Sequence, residues 1–262
     1  MPFLAMTYAM GAYVVFLGTT LGTIAFVGNF PAMARTIDAG GATAPLPQAM
    51  AVDVALLAVF AIQHSVMARR GFKRAWTRVV PAVVERATYV LAASAALALV
   101  LWQWRPIAAP MLWTMQNPTA RLALQAVFWT GWGVVLASSC LIDHFELFGL
   151  RQPWRALRGR GLPEQDFRTP LFYRHVRHPI YVGFLLAFWA TPDMSAGHAL
   201  FASTLTGYIL VGIWFEERDL VAQFGQRYLA YRGRVGMLLP RIGGRDARTP
   251  VSFIRSSRHK EP

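Results

Sequence analysis

The residue types with most chemical capacity crowd into two stretches of this chain. The segment RHVRHPIYVG, positions 174–183, sets His175, Arg177 and His178 directly before Pro179, Tyr181 and Gly183. Further on, WFEERDL supplies Glu216, Glu217 and Arg218, and the run that follows brings Tyr228 and Tyr231. Carboxylates, imidazoles and guanidiniums brought together can bind a zwitterion, because charge-assisted hydrogen bonds of both signs are then on offer. The same residue types also make a headgroup belt, with arginines on phosphates and glutamates pairing with them. A third stretch, DHFELFG from Asp143, holds His144 and Glu146. Histidine is the side chain that exchanges protons near neutral pH, so His144 and His178 are the candidates for general-base work.

The elements that must position these groups are apolar. Of 262 residues, 55% are hydrophobic and 15% charged, and the mean hydropathy is +0.36, values that point to a membrane protein rather than a soluble domain. The formal charge of +13 is distributed between long apolar runs, so anionic headgroups rather than nucleic acid are its expected counterions. One cysteine, Cys140, excludes an internal disulfide, and no CxxC pair or His/Cys ligand cluster suggests a metal. It reads as a small buried hydrophobe. No obligatory protein partner is evident.

Tyr8–Phe30, Ala49–Ala68, Thr88–Trp104 and Leu122–Ile142 are long enough, or nearly so, for the roughly 20 residues a spanning helix needs. Gly18 and Gly22 form a GxxxG face in the first, a spacing expected to mark close helix packing. Pro179–Pro192 is short for a span, whereas Gly197–Phe215 is sufficient, and TPDMSAG between them reads as a turn. The expected fold is therefore an all-α integral membrane protein, a bundle of five to six transmembrane helices with a C-terminal helical hairpin. The expected organisation is an N-terminal four-helix region over 1–142, a ligand-binding region over 143–242 and a basic tail over 243–262. Of the 26 lysines and arginines, 23 fall on connections that a six-segment count puts on one side. The positive-inside rule then places both termini, and the charged mouth, in the cytoplasm.

RHPxYxG, an apolar hairpin, then EExxLxxxFGxxYxxY resembles the signature of the membrane methyltransferases that include isoprenylcysteine carboxyl methyltransferases and phospholipid methyltransferases. The matching residues are Arg177, His178, Pro179, Tyr181, Gly183, Glu216, Glu217, Leu220, Phe224, Gly225, Tyr228 and Tyr231. QHSVMARRGFKRAWTRVVPAVVERATYVLAAS from Gln63 and DHFELFGLRQ from Asp143 are similar to the bacterial methanethiol S-methyltransferase branch, near the NnrU-like proteins. The resemblance implies S-adenosylmethionine as methyl donor, a small thiol as acceptor, and a bacterial-type inner membrane as location. It implies cofactor contacts from His175, Arg177, His178, Pro179, Tyr181, Gly183, Glu216, Glu217 and Tyr228. Where many relatives read VPxxxP after the tyrosines, this chain reads VGMLLP, so the C-terminal wall of the site departs from the pattern.

In that reading Arg177 or His178 meets the donor's carboxylate, and Glu216 or Glu217 its ammonium or ribose hydroxyls. Tyr181 offers a ring face to the sulfonium or a hydroxyl to the cofactor. The thiol's proton is expected to go to His144 or His178, with Glu146 or Glu217 orienting the imidazole, or Arg218 stabilises the thiolate instead. His64 reads as a helix cap or a pocket-lining residue, with the structural role favoured. Two alternatives stay open: another acceptor, such as a prenylcysteine or lipid amine, and a haem-binding membrane protein using His64 with His144.

Overall fold

The computed structural model describes residues 2–161, 167 and 169–241. Five helices are long and apolar enough to cross a membrane: α1 (Pro2–Val27), α2 (Leu46–Ala68), α4 (Ala82–Gln103), α5 (Pro118–Ile142) and α9 (Ala196–Phe224). Between and after them lie α3 (Arg70–Trp76), α6 (His144–Leu147), α7 (Arg151–Leu157), α8 (Pro179–Trp189) and α10 (Gln226–Arg234). Two short strands, β1 (Met111–Thr114) and β2 (Asp193–Ser195), pair antiparallel. The chain is an α-helical membrane protein, as expected. The tail proposed over 243–262 lies outside the described residues.

Local chemistry explains where the helices start. Proline occupies the first turn of α2, α5 and α8, where its missing N–H is harmless. Asn117 caps α5 by accepting from the N–H groups of Thr119 and Ala120, and Ser195 caps α9 by accepting from that of His198. Large apolar side chains such as Val14, Leu21, Ile62, Leu122 and Leu136 face outward from the long helices, which suits a hydrocarbon surrounding and not water. Inside, Phe26, Trp104, Phe128, Trp132, Phe188 and Phe201 form one aromatic core shared by α1, α4, α5, α8 and α9.

The segment from Pro179 is a helix of 11 residues, roughly 16 Å against a hydrocarbon core of about 30 Å. It still links the two ends of the bundle, because the turn after it is met by β1 from the α4–α5 connection and pinned by Arg121, whose guanidinium donates to both Asp193 oxygens at 2.9 and 2.6 Å. The following helix, α9, has 29 residues and continues past Phe215 to Phe224. Glu216 and Glu217 therefore ride on a rigid helix, not on the loop after one.

The glycine pair that brings helices together is not the one the spacing suggested. A Cβ on Gly18 would meet nothing, and one on Gly22 would touch only a leucine methyl at 3.5 Å. The close approach is between α5 and α8, where a Cβ on Gly131 would lie 2.6 Å from the Ala187 nitrogen and one on Gly183 2.7 Å from the Gly131 oxygen. Glycine is required there because backbone meets backbone.

Candidate functional site

Three local features converge on the first turn of α8. Pro179 opens that helix, leaving Arg177 and His178 just before it. Gly225, at φ +53°, ends α9 and turns the chain so that α10 folds back toward the same point. Beyond α10, the chain runs beside residues 176–178: Val176 bridges Gly236 in parallel, Arg177 N–H donates to Gly236 O at 2.8 Å, and His178 N–H donates to Met237 O at 3.2 Å. The unusual VGML sequence thus forms the wall itself. Its glycine is obligatory, since a Cβ on Gly236 would collide with the Leu239 carbonyl.

Glu217 is the hub. Its Oε1 accepts from Arg177 Nε at 2.7 Å, has Arg177 Nη2 at 2.7 Å and lies 3.2 Å from His178 Nε2. Arg232 Nε sits 3.5 Å from Oε2. The Arg177 side chain is 8% exposed and donates through Nη1 to the carbonyls of Val235 and Arg232, so its fork is almost fully occupied. Burying such a pair is tolerable when its donors are largely matched, as they are here. Glu216, by contrast, is half open. Its Oε2 accepts from Tyr181 Oη at 3.0 Å and lies 3.8 Å from His178 Nδ1, and the His178 and Tyr181 rings stack at 5.6 Å. Below them Tyr228 is buried with no hydrogen-bond partner for its hydroxyl, and burial pushes that phenol's pKa up. Tyr231 donates to the Tyr173 carbonyl, and Phe167 packs edge-on against Tyr228 and Tyr231 at 5.9 and 5.4 Å.

Of the residues singled out in the sequence, Arg177, His178, Tyr181, Glu216, Glu217 and Tyr228 come together. Pro179 sets the geometry, and Gly183 faces α5. His175 is exposed, with Nδ1 turned to the Leu171 carbonyl. Arg218 is exposed and lies over the Trp214 ring at 4.7 Å. His144 sits in a different contact group: Nε2 is 2.8 Å from Tyr13 Oη and Nδ1 2.9 Å from Ser139 Oγ, with Phe148 against the ring. Arg232 was missed by sequence reasoning, although its i, i+4 spacing from Tyr228 puts the two on one face of α10.

Burial lowers the His144 pKa. As pH falls through the unfolded value of about 6.5, the unfolded chain takes up a proton that the folded chain resists, so stability drops. Thermal unfolding of purified protein at pH 7 and pH 5 should show this loss, and His144→Gln should reduce it. An identical pH dependence in the variant would remove His144 as its source.

A bundle of long apolar helices carrying a cluster of paired carboxylates and guanidiniums is an α-helical membrane protein with its charged groups gathered where α8, α9 and α10 meet. The chain belongs to the methanethiol S-methyltransferase family. It is 54% identical to the methanethiol S-methyltransferase of Mycobacterium tuberculosis over 91% of this chain and 96% of that one. It is 52% identical to that of Pseudomonas deceptionensis over 82% and 81%. More distantly, it is 31% identical to Nurim of Danio rerio over 66% and 65%. No family model matches the chain, and no solved structure does.

Proposed function

We propose that the protein transfers a methyl group from S-adenosylmethionine to methanethiol, producing dimethyl sulfide and S-adenosylhomocysteine, at the end of the α8–α9 hairpin. The observation that carries this reading is the juxtaposition of Arg177, His178 and Tyr181 with Glu216 and Glu217, on a chain whose relatives of 46–54% identity are named methanethiol S-methyltransferases. The residues fit the donor. Glu216 keeps an accessible carboxylate for an ammonium or for ribose hydroxyls, and the Tyr228 hydroxyl is a buried donor still lacking an acceptor. When bound, the donor supplies an electrophilic methyl group on a positively charged sulfur.

The chain's own residues then have separate tasks. Arg177, Arg232 and Glu217 lock the ends of α8, α9 and α10 together, so that the polar groups are held before any ligand arrives. Tyr181, stacked on His178 and tied to Glu216, offers its ring face to a cation. His178, between the two carboxylates, orients both. Holding two reactants in line is the main contribution this arrangement can make, since intramolecular orientation is worth about 7–11 kcal/mol of a bimolecular barrier. The region over 143–242 is assigned to this chemistry and the region over 1–142 to anchoring and walling. The location is assigned to a bacterial-type inner membrane, with the site and both termini facing the cytoplasm, where the positive-inside rule puts the basic connections.

Purified protein given methanethiol and S-adenosylmethionine should release dimethyl sulfide into the headspace, dependent on both. Methylation of isoprenylated cysteine or of phosphatidylethanolamine in its place would refute the acceptor. Failure to bind S-adenosylmethionine, with a haem absorbance band instead, would refute the whole reading.

A further inference from the structure

A second polar cluster lies between α2, α4 and α9. His64, near the end of α2, has Nε2 2.8 Å from Tyr89 Oη on α4. Its ring is enclosed by Phe60 at 5.5 Å, Tyr89 at 5.1 Å and Tyr208 at 6.4 Å, and Tyr208 Oη accepts from Ser65 Oγ at 3.3 Å. Nδ1 of His64 is shut off from solvent and has no hydrogen-bond partner. An orphaned buried nitrogen is costly, by about 1–3 kcal/mol, and such groups call for an occupant.

The cluster shares α9 with the donor site, where Tyr181 donates to Glu216. Tyr208 and Glu216 lie on the same helix, two turns or roughly 12 Å apart.

Resting on the methyl-transfer reading above, we propose that His64, Tyr89, Tyr208 and Phe60 form the docking site for a small alkyl thiol, whose S–H donates to Nδ1 of His64 and whose proton passes there during transfer. The complementarity is simple. With Nε2–H donating to Tyr89, Nδ1 presents a bare lone pair, which is what a thiol donor needs. The aromatic walls receive the alkyl group. As the thiol sulfur's lone pair forms the new S–C bond, the bond from that carbon to the sulfonium sulfur of the donor breaks, and its electron pair stays on the departing sulfur. The attacking sulfur becomes strongly acidic as the bond forms, so a neutral imidazole suffices to take its proton, later released to water. Of the other histidines singled out above, His144 is committed to Tyr13 and Ser139 and His178 to Glu216 and Glu217, while His175 is exposed.

The charged group acting on His64 is Arg86 of α4, which is anchored to the Leu147 carbonyl and lies over Tyr89 at 5.1 Å; Arg69, just past the end of α2, is paired with Asp219 of α9. From α9 the titratable neighbour is Tyr208.

Two amide substitutions separate the roles, because an asparagine amide overlays Nδ1 and a glutamine amide overlays Nε2. His64→Asn can still accept the S–H, so the KM for methanethiol should stay within about 3-fold, while kcat, lacking proton transfer, should fall by about 10²-fold or more. His64→Gln keeps the Tyr89 contact but not the thiol contact and should raise that KM by about 10-fold or more. Binding of S-adenosylhomocysteine, measured by calorimetry, should be unchanged in both. Wild-type kinetics in either variant, or loss of nucleoside binding in both, would overturn the assignment and leave His64 a structural residue. A wild-type protein that makes no dimethyl sulfide at all would instead sink the reading on which this rests.

Discussion

Replacing Glu217 by alanine is expected to abolish dimethyl sulfide formation and to lower the unfolding temperature sharply. The carboxylate is the common partner of Arg177, His178 and Arg232, and the Arg177 side chain it neutralises is 8% exposed. Removing one member of a buried pair leaves an uncompensated charge and costs about 3–5 kcal/mol, a large part of a typical stability. The same change releases the ends of α8, α9 and α10 from one another. To separate stability from chemistry, both members can be replaced together, Arg177→Met with Glu217→Met. Apolar replacement of a whole buried pair is frequently neutral for folding, so this protein should recover stability while remaining inactive. Glu217→Gln should lie between, since its amide oxygen still accepts from Arg177 without carrying charge. Tryptophan fluorescence during heating and headspace sulfide are the two measurements. Full activity in Glu217→Ala would show that the hub plays no part in function.

The second large effect lies away from the charged groups. Gly183→Ala should separate α5 from α8 and take most of the activity with it. A Cβ at 183 would stand 2.7 Å from the Gly131 oxygen, 2.8 Å from a Val135 methyl and 2.9 Å from the Val135 nitrogen. Two of those neighbours are backbone and cannot rotate away. Overpacking of this kind costs about 1–3 kcal/mol in a tightly packed interior. Because α8 carries Tyr181 and follows His178, a shift of its axis also moves them relative to Glu216. Gly131→Ala should behave alike. By contrast, Gly207→Ala and Gly212→Ala on α9 meet nothing within 4 Å and should be silent or mildly stabilising. The contrast is read from the unfolding temperature of the four variants. Equal tolerance at 183 and 207 would contradict the packing account.

The sequence made the long spans legible because lipid demands a long, mainly apolar segment, and five of the described helices supply one. It placed the short α8 less well, since length alone does not reveal that a paired ribbon meets its far end. The ion-pair members were readable as types: Arg177, His178, Glu216 and Glu217 are the charged residues where apolar segments end. Which contacts they make was not readable. That Glu217 becomes the buried hub and Glu216 the open acceptor depends on a rotation of about 100° between successive positions of one helix, set by packing against α8 and α10. The GxxxG spacing at Gly18 misled because a motif states only that helices can approach, and the partner helix decides whether they do. The surroundings of His64 were hidden for a similar reason. A histidine near the end of an apolar helix reads as a cap until Tyr89 and Tyr208, distant in sequence, close around it and leave one nitrogen bare.

The central claim is that two helix ends, remote in the chain, grip one adenosyl ligand between Tyr181, His178 and Glu216. An experimental structure of the purified protein with S-adenosylhomocysteine tests it most directly. The account predicts ligand density within hydrogen-bond distance of the Glu216 carboxylate, with the homocysteine sulfur turned toward Tyr181 and the His64 cluster. Density for the ligand anywhere else on the protein, with Arg177, His178 and Glu217 untouched and Glu216 facing solvent, would contradict it.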